Sequence, residues 1–350
     1  MGIGLVMIYS ASSALAMKRH SSDFFFIKKQ LLYALLGIGA LMVCRYIPYQ
    51  IFSHMAYPML LISIILLIAV KITPFGDSAG GATRWLKFGA FKFQPSEFAR
   101  FALIVYLSYS MTKKKDKLKD FWIGFFPHVI VLGFLLALIY IQPDYGTLVI
   151  MMAITWIMMF VGGVKIIHLS SAFIIALPAL IFLMFQAQYR IKRITSFLDP
   201  WQDPAGQGYQ AIHSLMAFGT GGLFGTGIGR GYQKLFYLPE PHTDFIFSVI
   251  GEELGLLGVM LIVGLYALII WRGINIAKYA KDSFGSYLAI GLTASLGIQV
   301  CINMGVTLGL LPTKGLTLPF LSYGGTSLLI NMAAIGVLLN IGASRDFNEE

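Results

Sequence analysis

Long stretches of this chain carry no charged residue. Ile47 to Val70, Phe121 to Pro143, Tyr145 to Val164, Ile166 to Tyr189, Leu254 to Trp271, Ser283 to Thr313 and Gly315 to Ser344 hold no Asp, Glu, Lys or Arg. Crossing about 30 Å of hydrocarbon takes roughly 20 apolar residues in a helix, whose backbone groups are satisfied within the segment. Adding the shorter runs Met1 to Met17, Ile27 to Cys44 and Glu97 to Thr112 predicts ten spans. The first run has 17 residues and no charged flank before it, which predicts that the chain starts inside its first helix. It does not follow the pattern of a cleavable signal peptide.

Composition agrees with the pattern. Hydrophobic side chains make up 57% and charged ones 12%, at a mean hydropathy of +0.76, whereas a soluble domain carries about 25% charge. An ordinary water-soluble enzyme, a disordered chain and a secreted disulfide scaffold are excluded. Cys44 and Cys301 lie in apolar segments without partners at metal spacing and read as small hydrophobes. The predicted fold class is an all-α polytopic membrane protein, with residues 1–350 forming one transmembrane domain.

The loop Lys113 to Lys119 holds five Lys between two spans, and the positive-inside rule places it in the cytoplasm. Counting spans from there puts 45–54, 113–120, 163–168, 272–282 and the tail from Arg345 inside, with eleven Lys+Arg against fifteen outside. That total opposes the assignment, which rests on the dense loop and on a functional reason for outside cations. Two outside loops are long, 71–96 and 188–244, and loops beyond about 15 residues are usually functional or disordered. Aromatic residues such as Trp85, Phe91, Trp201, Phe224 and Tyr232 suit these two to a membrane surface. The chemistry is therefore expected on the extracytoplasmic face.

The net charge of +10 fits anionic lipid, nucleic acid or an anionic substrate alike. No P-loop motif is present. Gly219 to Gly231 holds seven Gly in thirteen residues, but no strand precedes it and no ribose carboxylate follows, so a tightly turned or flexible membrane-surface loop is preferred over a nucleotide site.

Acids are few enough to enumerate: sixteen in all. At a span or its edge they are costly and become functional candidates. Asp244 in PEPHTDFIF stands where a Pro-rich loop meets an apolar helix. A carboxylate in such partly dry surroundings is suited to take a proton from a substrate hydroxyl as general base, and the competing reading is a helix N-cap. Glu252 and Glu253 follow two turns later, and one of them must be paired. Glu97 and Arg100 have i,i+3 spacing and read as a structural pair. Asp144 in QPDYGT reads as a turn residue or a substrate contact.

Cations on the same side are Arg84, Lys87, Lys92, Arg190, Lys192, Arg193, Arg230, Lys234 and Lys314. They suit a diphosphate or, equally, anionic headgroups. His213 and His242 are isolated and lack zinc-ligand spacing.

The segments VMIYSASS, GGATRWLKFGAFKFQPSEF, IQPDYGT, YRIKRITSFLDPWQDPAGQGYQ, LFYLPEPHTDFIFSVIGEELG and LLPTKGLTLPFLSYGGTSLL together resemble the SEDS family, the shape, elongation, division and sporulation proteins that include FtsW, RodA and SpoVE. The resemblance spans nearly the whole chain, and the last segment is more similar to the division and sporulation branch. The family's first helix normally begins further upstream, and Arg100 stands where Lys is frequent.

The resemblance implies a ten-helix protein of the bacterial cytoplasmic membrane that polymerises lipid II into β-1,4 glycan strands on the outer face. It implies work beside a class B penicillin-binding protein and other divisome or elongasome proteins, with no role for nucleic acid. It places the catalytic acid on Asp244 and gives substrate or structural roles to Arg84, Trp85, Glu97, Asp144, Arg190, Lys192, Lys314 and Ser322, with Arg193 in the same cationic cluster. An α-linked donor and a β-linked product require inversion. Asp244 would deprotonate the acceptor 4-hydroxyl while the outside cations stabilise the departing polyprenyl diphosphate. A divalent cation, Mg or Mn, would share that charge, although no protein ligand cluster identifies one. A lipid II flippase and a non-catalytic scaffold for a transpeptidase stay open as alternatives.

Overall fold

The computed structural model describes residues 1–74, 76–79, 82–89, 91–171, 174, 178, 196–206, 208–235 and 237–344. Among them, Phe25–Tyr46, Phe121–Ile141, Ile246–Lys278, Ser283–Thr307 and Gly325–Ala343 are long and apolar enough to cross a bilayer, and Ala56–Ile72 and Tyr145–Val161 are shorter apolar helices. Gly2–His20 and Pro95–Lys113 occupy two more of the predicted spans. The chain is a multi-pass membrane protein. The predicted span 166–189 lies mostly outside the described residues.

Three of the charge-free runs are not helical throughout. The run 47–70 becomes Gln50–His54 and Ala56–Ile72, separated by Met55 at a ψ of 1°. The run 283–313 stops at Thr307, where Gly309 adopts a φ of 70° and Pro312 offers no amide. The run 315–344 turns helical only at Gly325. Residues 308–324 form a non-helical segment that carries Lys314 and Ser322.

The chain forms two compact units, one of Met1–Tyr33, Ile174–Leu268 and Gln299–Gly324, the other of Ala34–Phe173, Ile269–Ile298 and Gly325–Glu350. In the second, Pro95–Lys113 is central and packs against Ala56–Ile72, Phe126–Ile141, Tyr145–Val161 and Gly325–Ala343. Its small and apolar residues Ala99, Ala102, Leu103, Val105 and Leu107 are fully buried, as close helix approach in a membrane requires. Large apolar side chains such as Leu35, Val43, Leu61 and Ile65 are exposed instead, which is stable when the surroundings are lipid.

Loop 71–96, read from the sequence as a long outside loop, contains a three-stranded antiparallel sheet of Gly76–Ala79, Ala82–Phe88 and Phe91–Phe93. This is an addition to the all-helical expectation. Alternation along Thr83-Arg84-Trp85-Leu86-Lys87 gives the middle strand two faces, and Leu86 is buried. Asp77 pairs opposite Trp85, and Lys87 opposite Lys92. Thr326 pins the sheet, its hydroxyl donating to Lys92 O and accepting from Gln94 N, each at 3.1 Å.

The first unit holds Gly2–His20, a helix Tyr209–Gly221 within the second long loop, and the early part of Ile246–Lys278. That last helix is interrupted at Gly255, whose φ of 65° and ψ of −165° leave the helical region. Gln299 Nε2 donates to Thr317 O at 3.2 Å and the Tyr266 hydroxyl to Pro319 O, which ties down the non-helical segment.

Within the second unit, close approach of Gly336 to the backbone at Leu41 gives a test. A Cβ on Gly336 would stand 2.4 Å from Leu41 O, whereas one on Gly264 meets nothing within 4 Å. Gly336→Val should destabilise the detergent-solubilised protein by about 1–3 kcal/mol, and Gly264→Ala should leave its thermal midpoint unchanged or slightly raised.

Candidate active site

In the first unit the turn before the broken helix places Asp244. Ser248 N and Val249 N, in the first turn of the helix Ile246–Lys278, donate to Phe245 O, so the capping carbonyl is that of Phe245 and Asp244 precedes it. The turn is held through consecutive main-chain carbonyls. Tyr323 N donates to His242 O at 2.8 Å, the Ser322 hydroxyl to Thr243 O at 2.6 Å, and Asn303 Nδ2 to Asp244 O at 3.0 Å. Asn303 Nδ2 also donates to Leu316 O at 2.6 Å, and Leu318 N to the Ser322 hydroxyl at 2.7 Å. The segment 314–324 is thereby stitched to the turn. Its Gly315 lies under the acid: a Cβ there would stand 3.2 Å from Asp244 Oδ2. Asp244 and Lys314 are both half-buried, a placement that combines access with reduced solvation.

Three sequence-predicted residues thus come together: Asp244, Lys314 through its segment, and Ser322. Ser322 is buried and its hydroxyl is spent on the turn, which makes it a residue that positions the acid. His242, which lacked any metal spacing, is a residue the sequence reading passed over. It is only 3% exposed, its ring lies 4.5 Å from that of Phe26 and 5.6 Å from that of Tyr323, and its Nε2 is 3.9 Å from Glu240 Oε2. Among the described residues its Nδ1 has no hydrogen-bond partner. Burial, with a smaller push from Arg19, pulls its pKa down to about 4. The signal that could have found it is proximity, two residues from Asp244.

The second unit holds another cluster. Asp144 caps Tyr145–Val161 and is 3% exposed. Its carboxylate accepts from the Ser96 and Thr147 hydroxyls at 2.9 Å each and from Gln94 Nε2 at 3.2 Å. Arg84 donates to Gln142 O and Pro143 O of the same turn, and Gln142 Nε2 donates to Leu67 O at 2.9 Å. Glu97 and Arg100 form a buried pair at 2.7 Å, as their spacing predicted. Trp85 stands half-buried on the middle strand. These contacts run to protein groups, so Asp144 and Arg84 hold the QPDYGT turn.

Of the remaining cations, Lys92 pairs with Asp77 at 2.5 Å and Lys234 with Glu253 at 2.5 Å. Arg190, Lys192 and Arg193 lie outside the described residues. No group of three or more His, Cys, Asp or Glu comes together among the described residues, so these offer no all-protein cage for a divalent cation.

The family model for FtsW, RodA and SpoVE, described as cell cycle proteins, matches residues 1–346. A Geobacter protein named probable peptidoglycan glycosyltransferase FtsW is 48% identical over 97% of this chain and 92% of its own length. The stage V sporulation protein E of Bacillus subtilis is 44% identical over 97% of this chain and 93% of its own. Among solved structures, a chain from a peptidoglycan synthase complex, described as coordinating polymerization and crosslinking, superposes with a TM-score of 0.76 at 28% identity, covering 98% of this chain and 97% of that one. The rod shape determining protein RodA of Thermus thermophilus superposes with a TM-score of 0.70 at 27% identity, covering 97% and 95%.

His242 carries a pH prediction. Its ordinary pKa of 6.5 falls to about 4 in the fold, so the unfolded chain binds the proton first. Stability is full above pH 6.5 and declines as pH falls toward 4, by at most about 1.4 kcal/mol per unit. Thermal midpoints between pH 7.5 and 4.5 should fall less steeply for His242→Gln than for wild type.

Proposed function

The chain belongs to the FtsW/RodA/SpoVE family, and from that membership we propose that it is a peptidoglycan glycosyltransferase acting in cell division or sporulation. In this reading it sits in the bacterial cytoplasmic membrane, polymerises lipid II on the extracytoplasmic face and works with a class B penicillin-binding protein. The observation that carries the assignment of chemistry is the Asp244 turn. An acid at a membrane-span boundary is half-buried, rests against a glycine and is fixed by three backbone carbonyls, with a lysine in the segment that clamps it.

The geometry supports the following course. Asp244 takes the proton of the acceptor 4-hydroxyl as the oxygen attacks the anomeric carbon of the donor, and the bond to the diphosphate breaks on the opposite face. Lys314 and the cations of the long loop stabilise the negative charge that develops on the leaving diphosphate. The anomeric centre inverts. Arg84 and Asp144 enter as residues that shape the QPDYGT turn.

Purified protein with lipid II in detergent is the test, because no two compartments exist there and a flippase makes no polymer. Wild type, with and without the cognate transpeptidase, should form glycan, and Asp244→Asn should slow turnover by about 10²–10⁴ while lipid II binding persists. Undiminished polymerisation by the variant would remove Asp244 from the chemistry. Normal growth of cells carrying Asp244→Ala would favour the scaffold.

A further inference from the structure

The break at Gly255 frees carbonyls at the end of 246–254 and amides at the start of 256–278, a costly event in a membrane helix. The Gly-rich loop takes up both sets. Thr226 N and Gly227 N donate to Glu252 O and Glu253 O at 3.0 Å each, while Leu256 N and Leu257 N donate to Gly222 O and Leu223 O at 2.9 and 3.3 Å. Side chains do not fit at this splice. A Cβ on Gly225 would stand 2.2 Å from Glu253 O, one on Gly255 2.3 Å from Gly225 N, and one on Gly221 2.0 Å from Gly251 O.

The two acids at the break reach onto the loop and its continuation. Glu252 accepts from Tyr232 N at 2.7 Å and from Gln233 N at 3.2 Å. Glu253 accepts from Gly229 N at 3.1 Å, from the Ser10 hydroxyl at 2.7 Å and from Lys234 Nζ at 2.5 Å. Lys234 also donates to the Ser10 hydroxyl at 2.8 Å. Glu253 is 1% exposed, and Lys234 and Ser10 6% each. A charged pair this dry is unavailable to substrate. It ties three stretches of chain together: Gly2–His20, the Gly-rich loop with its continuation, and the broken helix. From Glu253 back to Asp244 runs the half-helix 246–254, a rod of about 13 Å.

We propose that Lys234, Glu253 and Ser10 form a latch that fixes the half-helix 246–254 following Asp244, which makes Lys234 and Glu253 positioning residues for the proton transfer. The inference rests on Asp244 being the general base. A misplacement of about 1 Å at a reacting group costs up to about 10²-fold in rate, and the latch sits at the end of the rod where a small tilt is carried to the acid.

The experiment compares purified wild type, Lys234→Met, Lys234→Arg, Glu253→Gln and Asp244→Asn for lipid II polymerisation over a range of substrate concentrations, with a thermal melt of each. Lys234→Met and Glu253→Gln should lower kcat by about 10- to 100-fold with KM within about twofold, and Lys234→Arg should recover much of the loss. A purely stabilising pair would lower the melting temperature yet leave the folded fraction turning over at the wild-type rate. Turnover of folded Lys234→Met within about twofold of wild type, beside an inactive Asp244→Asn, overturns the latch alone. Failure of both Lys234→Met and Glu253→Gln to fold assigns the cluster to stability and overturns it as well. Undiminished Asp244→Asn removes the reading of the acid, and the latch's role with it.

Discussion

A polypeptide that leaves its helical ladder inside a membrane protein must find a partner for every amide and carbonyl it frees, and this chain leaves the ladder at Gly255. Each unsatisfied group would cost several kcal/mol in hydrocarbon. The Gly-rich loop answers on both sides of the break, with amides for the carbonyls of Glu252 and Glu253 and carbonyls for the amides of Leu256 and Leu257. Density of glycine in that loop follows from this pairing: main chain meets main chain at distances where a methyl group has no room. The break also lets the half-helix 246–254 be set by its own contacts, separately from the longer apolar stretch that follows.

The same constraint sorts the ionisable groups. Glu97 has Arg100, Asp144 has two hydroxyls and an amide side chain, Glu253 has Lys234, and Glu252 has two backbone amides. Burial without such partners would be prohibitive. Asp244 differs in being half-exposed at the edge of a span. The cations divide in parallel. Lys234, Lys92 and Arg84, each a prospective diphosphate partner by side and sequence, are engaged with Glu253, Asp77 and two carbonyls. Arg230 and Lys87 of that group are exposed and Lys314 is half-buried.

What the sequence made legible was whatever depends on local chemistry. Charge-free length located the apolar helices among the described residues, the i,i+3 spacing found the Glu97–Arg100 pair, and Asp144 was legible as a turn residue, which the cap it forms on Tyr145–Val161 resembles. Span ends were less legible because counting charges ignores the punctuation by Gly309, Pro312 and Pro319, so segment 308–324 read as parts of two helices. The alternation in TRWLKF was a strand pattern that the loop's position between two spans obscured. Least legible were pairings over long separations. Ser10 lies 243 residues from Glu253, Ser322 lies 79 from Thr243, and no spacing rule joins them, so the role of Ser322 stayed open between substrate contact and structure, and that of Lys234 between diphosphate and anionic headgroups.

How the turn is held bears on what Asp244 can be asked to do. Three hydrogen bonds fasten the turn at the main-chain carbonyls of His242, Thr243 and Asp244, and they come from Tyr323 N, Ser322 and Asn303. Replacing the acid by its amide leaves those acceptors in place, and Gly315 beneath it presents no side chain to collide with the isosteric group. The capping carbonyl of the helix belongs to Phe245, so the helix start survives as well. A reactive group fixed through its backbone keeps its position while its charge changes, as a general base must when it gains and then releases a proton on each turnover. An acid fixed through its carboxylate, as Asp144 is, would weaken its own anchorage on protonation. Half-burial at a span edge favours Asp244 for chemistry, whereas the buried carboxylate of Asp144, bonded to Gln94, Ser96 and Thr147, favours architecture.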